Sequence, residues 1–97
     1  MSYFPMNEYK LLKFEVANPG TNKMYTAVLK QRRGDRIVRL NFGDRRYENY
    51  TDRTGLKAFP ELIHGDNKRR ESYKKRHQVF IKEGFYSPGY FSMNYLW

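Results

Sequence analysis

The sequence predicts a single domain of the α+β class: a small three-stranded antiparallel meander, a long ordered loop, one basic helix packed on the sheet, and an aromatic C-terminal segment. Three observations predict this class. A chain of 97 residues has the length of one domain. Its first half alternates apolar and polar residues with the period of a strand, and one stretch of its second half has helical spacing. The predicted segments are an N-terminal arm (1–8), the meander (9–43), the loop (44–65), the helix (66–83) and the aromatic segment (84–97).

Three strand-like runs make up the meander. The runs YKLLKFEV and RIVRLNF alternate apolar with polar residues, whereas the run KMYTAVLK between them has apolar residues on both faces. The intervening stretches ANPGTN and QRRGD are rich in turn-forming residues. The side chains expected on the buried face of the sheet are Leu12, Phe14, Val16, Val38, Leu40 and Phe42.

The loop and the helix follow the meander. Residues 44–65 carry Gly and Pro without sustained periodicity, and one helical turn is expected around residues 56–62. A loop of this length in a small domain is typically functional or bound to a partner. In residues 66–83, Asp66 is the expected N-cap and Gly84 the expected C-terminal stop. One apolar arc of this helix is expected to cover the sheet, and its residues are Tyr73, His77, Phe80 and Ile81.

The chain is strongly basic. Lys and Arg number 19 against 10 Asp and Glu, and the net charge of +9 attracts nucleic acid, an anionic membrane surface or an acidic protein patch. The absence of cysteine excludes disulfides and thiolate metal sites. No apolar run approaches the roughly 18 residues of a membrane span, and the first residues do not form a signal peptide. We therefore expect a cytosol-like compartment and no membrane span.

Basic residues are distributed over the strands and the helix. The cations of the helix can follow a row of phosphates, although a solvated helix face gives the same pattern. Arginines of the second turn and the third strand form a further basic region. The residues predicted to bind a polyanion are Arg32, Arg33, Arg36, Arg39, Lys68, Arg69, Arg70, Lys74, Lys75 and Arg76.

Aromatic residues make up 18% of the chain and are frequent near both of its ends. Stacking on nucleic-acid bases needs a neighbouring track of Lys or Arg, and no Lys or Arg follows Lys82. Core packing or docking to another protein is therefore favoured over base stacking for the aromatic C-terminal segment. The residues predicted to bind a protein partner are Tyr3, Phe4, Tyr90, Phe91, Tyr95 and Trp97.

Neither histidine has the sequence context of a metal site. His64 and His77 do not match ligand spacings such as HExxH, and no glycine-rich phosphate loop is present. A hydrogen-bonded structural network is favoured for the residues Tyr50, His64, Asp66, Tyr73 and His77. The alternative is acid–base or phosphodiester chemistry by Tyr50, His64, Asp66 and Arg70. We therefore expect no enzyme activity, no catalytic residue, no metal, no cofactor and no small-molecule substrate.

The order of motifs in residues 38–97 resembles a known pattern. The stretches LNFGDRRYENYTD, HGDNKRRESYKKRH and SPGYFSMNYLW are similar to those of a family of small proteins found in giant (nucleocytoplasmic large) DNA viruses and in some tailed phages. The matching positions are Phe42, Gly43, Tyr47, Tyr50, Thr51, His64, Asp66, Arg69, Arg70, Tyr73, Arg76, His77, Ser92, Leu96 and Trp97. The insertion DRTGLKAFPEL departs from many members of that family. The resemblance implies a viral setting and a fold, and it assigns no catalytic residue.

Two functions follow from these observations. Together with the resemblance, the aromatic ends and basic surfaces predict a virion-associated structural protein of the minor capsid or cement type. Such a protein would dock between larger capsid proteins of the virion after synthesis in the host cytoplasm or a viral factory. The alternative is a nucleic-acid-binding protein whose basic helix and arginine-rich strand region contact phosphates, those of viral DNA among them.

Overall fold

The computed structural model describes residues 3–97, apart from the side chain of Phe80. Residues 1 and 2 of the predicted N-terminal arm therefore lie outside the described part, as does the Phe80 side chain of the predicted apolar arc. The strands are β1 (Phe4–Pro5), β2 (Tyr9–Val16), β3 (Tyr25–Gln31), β4 (Ile37–Phe42) and β5 (Phe85–Tyr86). The helices are α1 (Asn67–His77) and α2 (Pro88–Phe91). The α+β class and the aromatic C-terminal segment are confirmed.

Strands β2, β3 and β4 form the predicted antiparallel meander, with β3 in the centre. Tyr25 pairs with Phe42 and Ala27 with Leu40, so that one face of the sheet collects the apolar side chains. All four of these side chains are buried, as the period-two pattern of β4 predicts. The first five residues of β3 are buried on both faces of the sheet, in agreement with the apolar residues that the sequence places on both faces of this strand.

A β-bulge interrupts strand β2 at Leu12. The pairing passes from Leu11 opposite Leu29 to Lys13 opposite Val28, which leaves Leu12 without a partner. An extra residue shifts the alternation of side chains, so Leu11 and Phe14 pack on the core and Leu12 is 46% exposed. The expected burial of Leu12 is therefore wrong. It is wrong for Val16 as well, which is 50% exposed at the end of this edge strand.

The C-terminal segment covers the apolar face of the sheet. Phe91 and Leu96 are fully buried, and a π-helical turn over Ser92–Leu96 carries the chain across the strands. The ring of Phe14 in β2 lies edge-on to Phe91 and Tyr95, with centroids 5.8 and 4.7 Å away. The sequence predicts the basic helix as this cover, but α1 has no buried residue. It adjoins the core through Tyr73, which packs against the buried cluster.

Helix α1 is shorter than the predicted helix over residues 66–83. Asp66 is its N-cap as expected, because its carboxylate accepts hydrogen bonds from the backbone N–H groups of Lys68 and Arg69. The helix ends at His77, and one 3₁₀ turn over Gln78–Phe80 follows before the chain becomes extended. Gly84 therefore does not terminate the helix. The β-branched and aromatic run that follows Gln78 has low helix propensity, which accounts for the early end.

Two further features complete the fold. Strand β1 pairs antiparallel with β5, which brings Phe4 opposite Tyr86 and ties the N-terminal arm to the last part of the chain. In the loop over residues 44–65, a single parallel bridge joins Asn49 to Ile63, and the expected helical turn is a 3₁₀ turn over Pro60–Leu62. None of the helices in residues 3–97 has the length and apolar character needed to cross a membrane.

Candidate functional site: a basic cleft with an aromatic floor

Three aromatic rings form a continuous stack beside α1. The indole of Trp97 lies parallel to the phenol of Tyr73 with a centroid distance of 4.1 Å, and Tyr73 stacks on His77 at 4.0 Å. Tyr73 and His77 are one turn apart on α1, which places their rings above each other. We call these three residues the ring stack. It joins the helix to the C-terminal segment.

Arg70 fixes the position of the ring stack. Its Nε donates a hydrogen bond of 2.8 Å to the backbone oxygen of Trp97, and its guanidinium lies 5.0 Å from the centroid of the Tyr50 ring. The Tyr50 hydroxyl donates in turn to Oδ1 of Asn67 at the start of α1. One arginine therefore connects the helix, the loop and the C-terminal segment.

His64 packs on the other side of Trp97, with ring centroids 5.2 Å apart. Its Nδ1 accepts a hydrogen bond from the backbone N–H of Asp66, so the proton of the neutral ring sits on Nε2. Burial lowers the pKa of His64 below 6.5, and the nearby charge of Arg69 adds to this effect. Of the five residues predicted as a structural network, His64 and Tyr73 pack directly on Trp97. His77 stacks on the other face of Tyr73, Tyr50 meets the ring of His64, and Asp66 bonds to His64 through its backbone N–H.

A cleft of about 730 Å³ opens between α1, the loop after β4 and the C-terminal segment. Its floor is aromatic and includes Phe42, Tyr73 and Trp97. The chain leaves β4 and enters the wall of the cleft at Gly43, where φ is +77° and a Cβ would come within 3.0 Å of the Leu96 side chain. Only glycine satisfies both conditions without strain. The cations that line this cleft, hereafter the basic cleft, are Lys23, Lys68, Arg69 and Arg76.

Two carboxylates line the basic cleft, and each is paired with an arginine. Arg69 Nη1 lies 2.9 Å from a carboxylate oxygen of Glu48, and both side chains are about half exposed. Asp44 accepts two hydrogen bonds from the Arg46 side chain, which lowers the pKa of Asp44 to about 2. Within residues 3–97, the remaining cations of the cleft make no ion pair, so the cleft retains an excess of positive charge.

The other predicted polyanion-binding residues lie elsewhere. Lys74 and Lys75 line a second depression on α1, where burial and the charges of Arg70 and Arg53 lower the pKa of Lys74. The arginines of the β3–β4 turn are at the far end of the sheet, separated from the cleft by the seven-residue strand β3, which is about 23 Å long. There Arg32 bonds to the Met6 oxygen and Arg36 to the Tyr9 hydroxyl, while Arg33 is exposed. Arg39 pairs with Glu15 on the outer face of the sheet.

The predicted partner-binding aromatics pack within their own chain. Phe91 is fully buried and Trp97 is 7% exposed, so both rings belong to the core of their own chain, and binding of a partner protein through them stays a prediction. A cysteine-free domain of this size needs its large aromatic side chains for its own core. The other four also meet rings of the same chain: Phe4 meets Tyr9, Tyr95 meets Phe14, Tyr90 meets Phe91, and Tyr3 meets Phe85.

Lys23 and Tyr47 are among the lining residues of the basic cleft that the sequence did not assign to a binding site. The absence of Lys and Arg after Lys82 separates cations from aromatics along the chain, but folding brings Trp97 against the cationic helix α1. One local signal was available, since Tyr47 stands between Arg46 and Glu48 in a polar loop, where an aromatic ring has no core to enter. No protein-family model, curated protein or solved structure gives a match to this chain.

Proposed function

We propose that this protein binds nucleic acid and that the basic cleft is its binding site. The observation that supports this most directly is the convergence of four cations on a cleft with an aromatic floor: Lys23, Lys68, Arg69 and Arg76. Cations that follow the backbone beside an exposed aromatic ring are the usual components of single-strand binding sites. The faces of Tyr73 and Trp97 are taken up within the ring stack, so the exposed ring of this cleft is that of Tyr47. The net charge of +9 adds a long-range attraction for any polyanion.

Helix α1 would be the main phosphate-contacting element. It presents Lys68 and Arg76 to the cleft and Lys74 and Lys75 to the neighbouring depression, so positive charge surrounds much of its exposed surface. Each phosphate neutralised by such a cation releases condensed counterions, which gives binding energy that decreases with salt. The proposal involves binding alone and no chemical step.

A role as a component of viral particles is the second candidate. Its support is the resemblance of residues 38–97 to small viral proteins, and the motif positions of that resemblance include Arg70, Tyr73 and Trp97. Burial of Phe91 and Trp97 removes the strongest argument for docking through aromatic ends. Quantitative mass spectrometry of purified particles tests this candidate: a fixed high copy number relative to the coat protein supports it, and absence from particles contradicts it.

The binding proposal is tested by fluorescence anisotropy with labelled oligonucleotides over a series of salt concentrations. We expect affinity to fall steeply with salt, and the double variant Lys68→Glu/Arg76→Glu to reduce the slope of log K against log salt by about one to two. The matched control is Lys10→Glu/Arg33→Glu, which changes the charge equally at the far end of the sheet. Absence of binding at 50 mM salt contradicts the function, and equal losses in both variants contradict the assignment of the site.

A further inference from the structure

Tyr47 is an exposed ring on the wall of the basic cleft. Its side chain is 65% exposed, and of the aromatic side chains described it is the one that remains largely in solvent. The guanidinium of Arg46 lies 5.7 Å from the ring centroid, and within residues 3–97 no other described ring packs on it. An aromatic ring left in water beside an excess of cations is a suitable platform for a flat, anionic ligand.

The size of the cleft limits what can reach this ring. A volume of about 730 Å³ lies within the range of cavities that hold one drug-sized ligand, which is the scale of a nucleotide. In a duplex, the faces of each base are covered by the neighbouring base pairs. An unpaired base has a free face and can stack on an aromatic side chain.

Glu48 occupies the position that a phosphate would take on Arg69. The ion pair between them measures 2.9 Å, and both partners are about half exposed, so it is a weak surface pair. A phosphate accepts paired hydrogen bonds from a guanidinium and can replace the carboxylate. Glu48 therefore competes with the ligand for the arginine next to Lys68.

We propose that the basic cleft takes a single-stranded nucleic-acid segment, with an unpaired base stacked on Tyr47 and a phosphate that displaces Glu48 from Arg69. The inference rests on the proposed nucleic-acid binding and specifies its substrate class. DNA and RNA share the chemistry used here, since both offer a flat base and a phosphate. The 2′-hydroxyl distinguishes them, and the two are compared as separate arms of the experiment.

The test measures the affinity of labelled single-stranded oligonucleotides, DNA and RNA, and of the duplex of the same sequence at fixed salt. We expect tighter binding of single strands, about tenfold loss of that affinity in Tyr47→Leu, and little change in Tyr47→Phe, which keeps the ring. Duplex affinity should be the same in all three proteins.

The variant Glu48→Gln provides a gain of binding, which a folding defect cannot imitate. Freed from its carboxylate, Arg69 should hold the phosphate better and raise single-strand affinity. The matched control Glu8→Gln removes the same charge near Arg32 at the far end of the sheet, and it should raise single-strand affinity less than Glu48→Gln does. Binding without single-strand preference, or equal effects of Tyr47→Leu on both substrates, overturns this inference while nucleic-acid binding stands. Absence of all binding overturns both.

Discussion

The phenol ring of Tyr73 lies parallel to the indole of Trp97, with the planes within 4° and the centroids 4.1 Å apart. Since α1 has no buried residue, this contact and the hydrogen bond from Arg70 are its principal attachments to the core. The cationic wall of the basic cleft is therefore positioned by one aromatic pair and one arginine. Substitutions of Tyr73, Trp97 or Arg70 should therefore destabilise the helix more than the sheet.

Tyr73→Ala should lower the free energy of unfolding by about 2–3 kcal/mol, because it removes the ring between Trp97 and His77 and leaves a cavity. Urea unfolding followed by circular dichroism and by the fluorescence of the single tryptophan measures this loss. The matched control is Tyr47→Ala, which removes the same side chain from an exposed site and should change stability by less than about 0.5 kcal/mol. Equal losses in the two variants would contradict the structural role of the stack.

Arg70→Met should cost about 1–2 kcal/mol, because it removes the hydrogen bond to the Trp97 oxygen and the cation over the Tyr50 ring. The freed indole should also become more exposed, which shifts its emission to longer wavelength. Lys75→Met makes the same kind of change at an exposed helix position and should leave both stability and emission near those of the parent protein. An unchanged emission in Arg70→Met would show that Arg70 does not hold Trp97 in place.

Stability should decrease as the pH falls below neutrality. Burial lowers the pKa of His64 in the folded protein below its ordinary value of 6.5, so protonation favours the unfolded chain. The stabilisation is complete above pH 6.5 and is lost as the pH falls towards the folded-state pKa. Protonation also removes the acceptor for the Asp66 N–H. Urea unfolding at pH 7.5, 6.5 and 5.5 should show a smaller decrease of the free energy of unfolding for His64→Asn than for the parent protein, because the amide oxygen of asparagine does not titrate. Equal decreases in the two proteins would contradict the assignment of this pH dependence to His64.

Stability should also decrease in alkali. The Tyr25 hydroxyl donates a hydrogen bond to the Asp52 carboxylate and accepts one from the backbone N–H of Ala58. Burial raises the pKa of Tyr25 from 10.0 to about 12, and the hydrogen bond to Asp52 is the second cause. Below pH 10 the folded and unfolded forms are both protonated and the stabilisation is complete, and it is lost between pH 10 and 12. Tyr25→Phe should be less stable than the parent protein at pH 8, and its free energy of unfolding should decrease less between pH 10 and 12. Denaturation curves over that range decide the point, and an equal alkaline loss in both proteins would contradict it.

Local signals account for the part of the fold that the sequence predicts. The burial of Leu40 and Phe42 follows from alternation within one strand, and the N-cap at Asp66 depends only on the next three residues. The bulge at Leu12 depends on the pairing of β2 with β3, and no pattern within β2 reveals it. The end of α1 at His77 follows from the low helix propensity of Val79, Phe80 and Ile81, which the spacing of apolar residues alone does not take into account.

The basic cleft could not be assembled from the sequence, because its parts are distant along the chain. Lys23 comes from the turn before β3, Tyr47 from the loop after β4, and Trp97 from the C-terminal segment. A separation of cations and aromatics in sequence therefore says nothing about their separation in space. The sequence predicts that Tyr73 and His77 share one face of a helix, and both belong to the ring stack. It predicts a protein partner for Trp97, the third ring of that stack.

The order of synthesis matters for folding, because residues from the two ends of the sequence complete the core. Phe4 pairs with Tyr86, and Phe91 and Leu96 are buried against the sheet. A nascent chain that has reached α1 already contains the whole meander, yet the apolar face of that meander is still open to water. The native core can close only when residues 91–97 have left the ribosome. Contacts between such distant residues also slow the search for the native state. The emerging sheet is therefore exposed to aggregation until residues 91–97 arrive, and this interval is when a chaperone would have most effect.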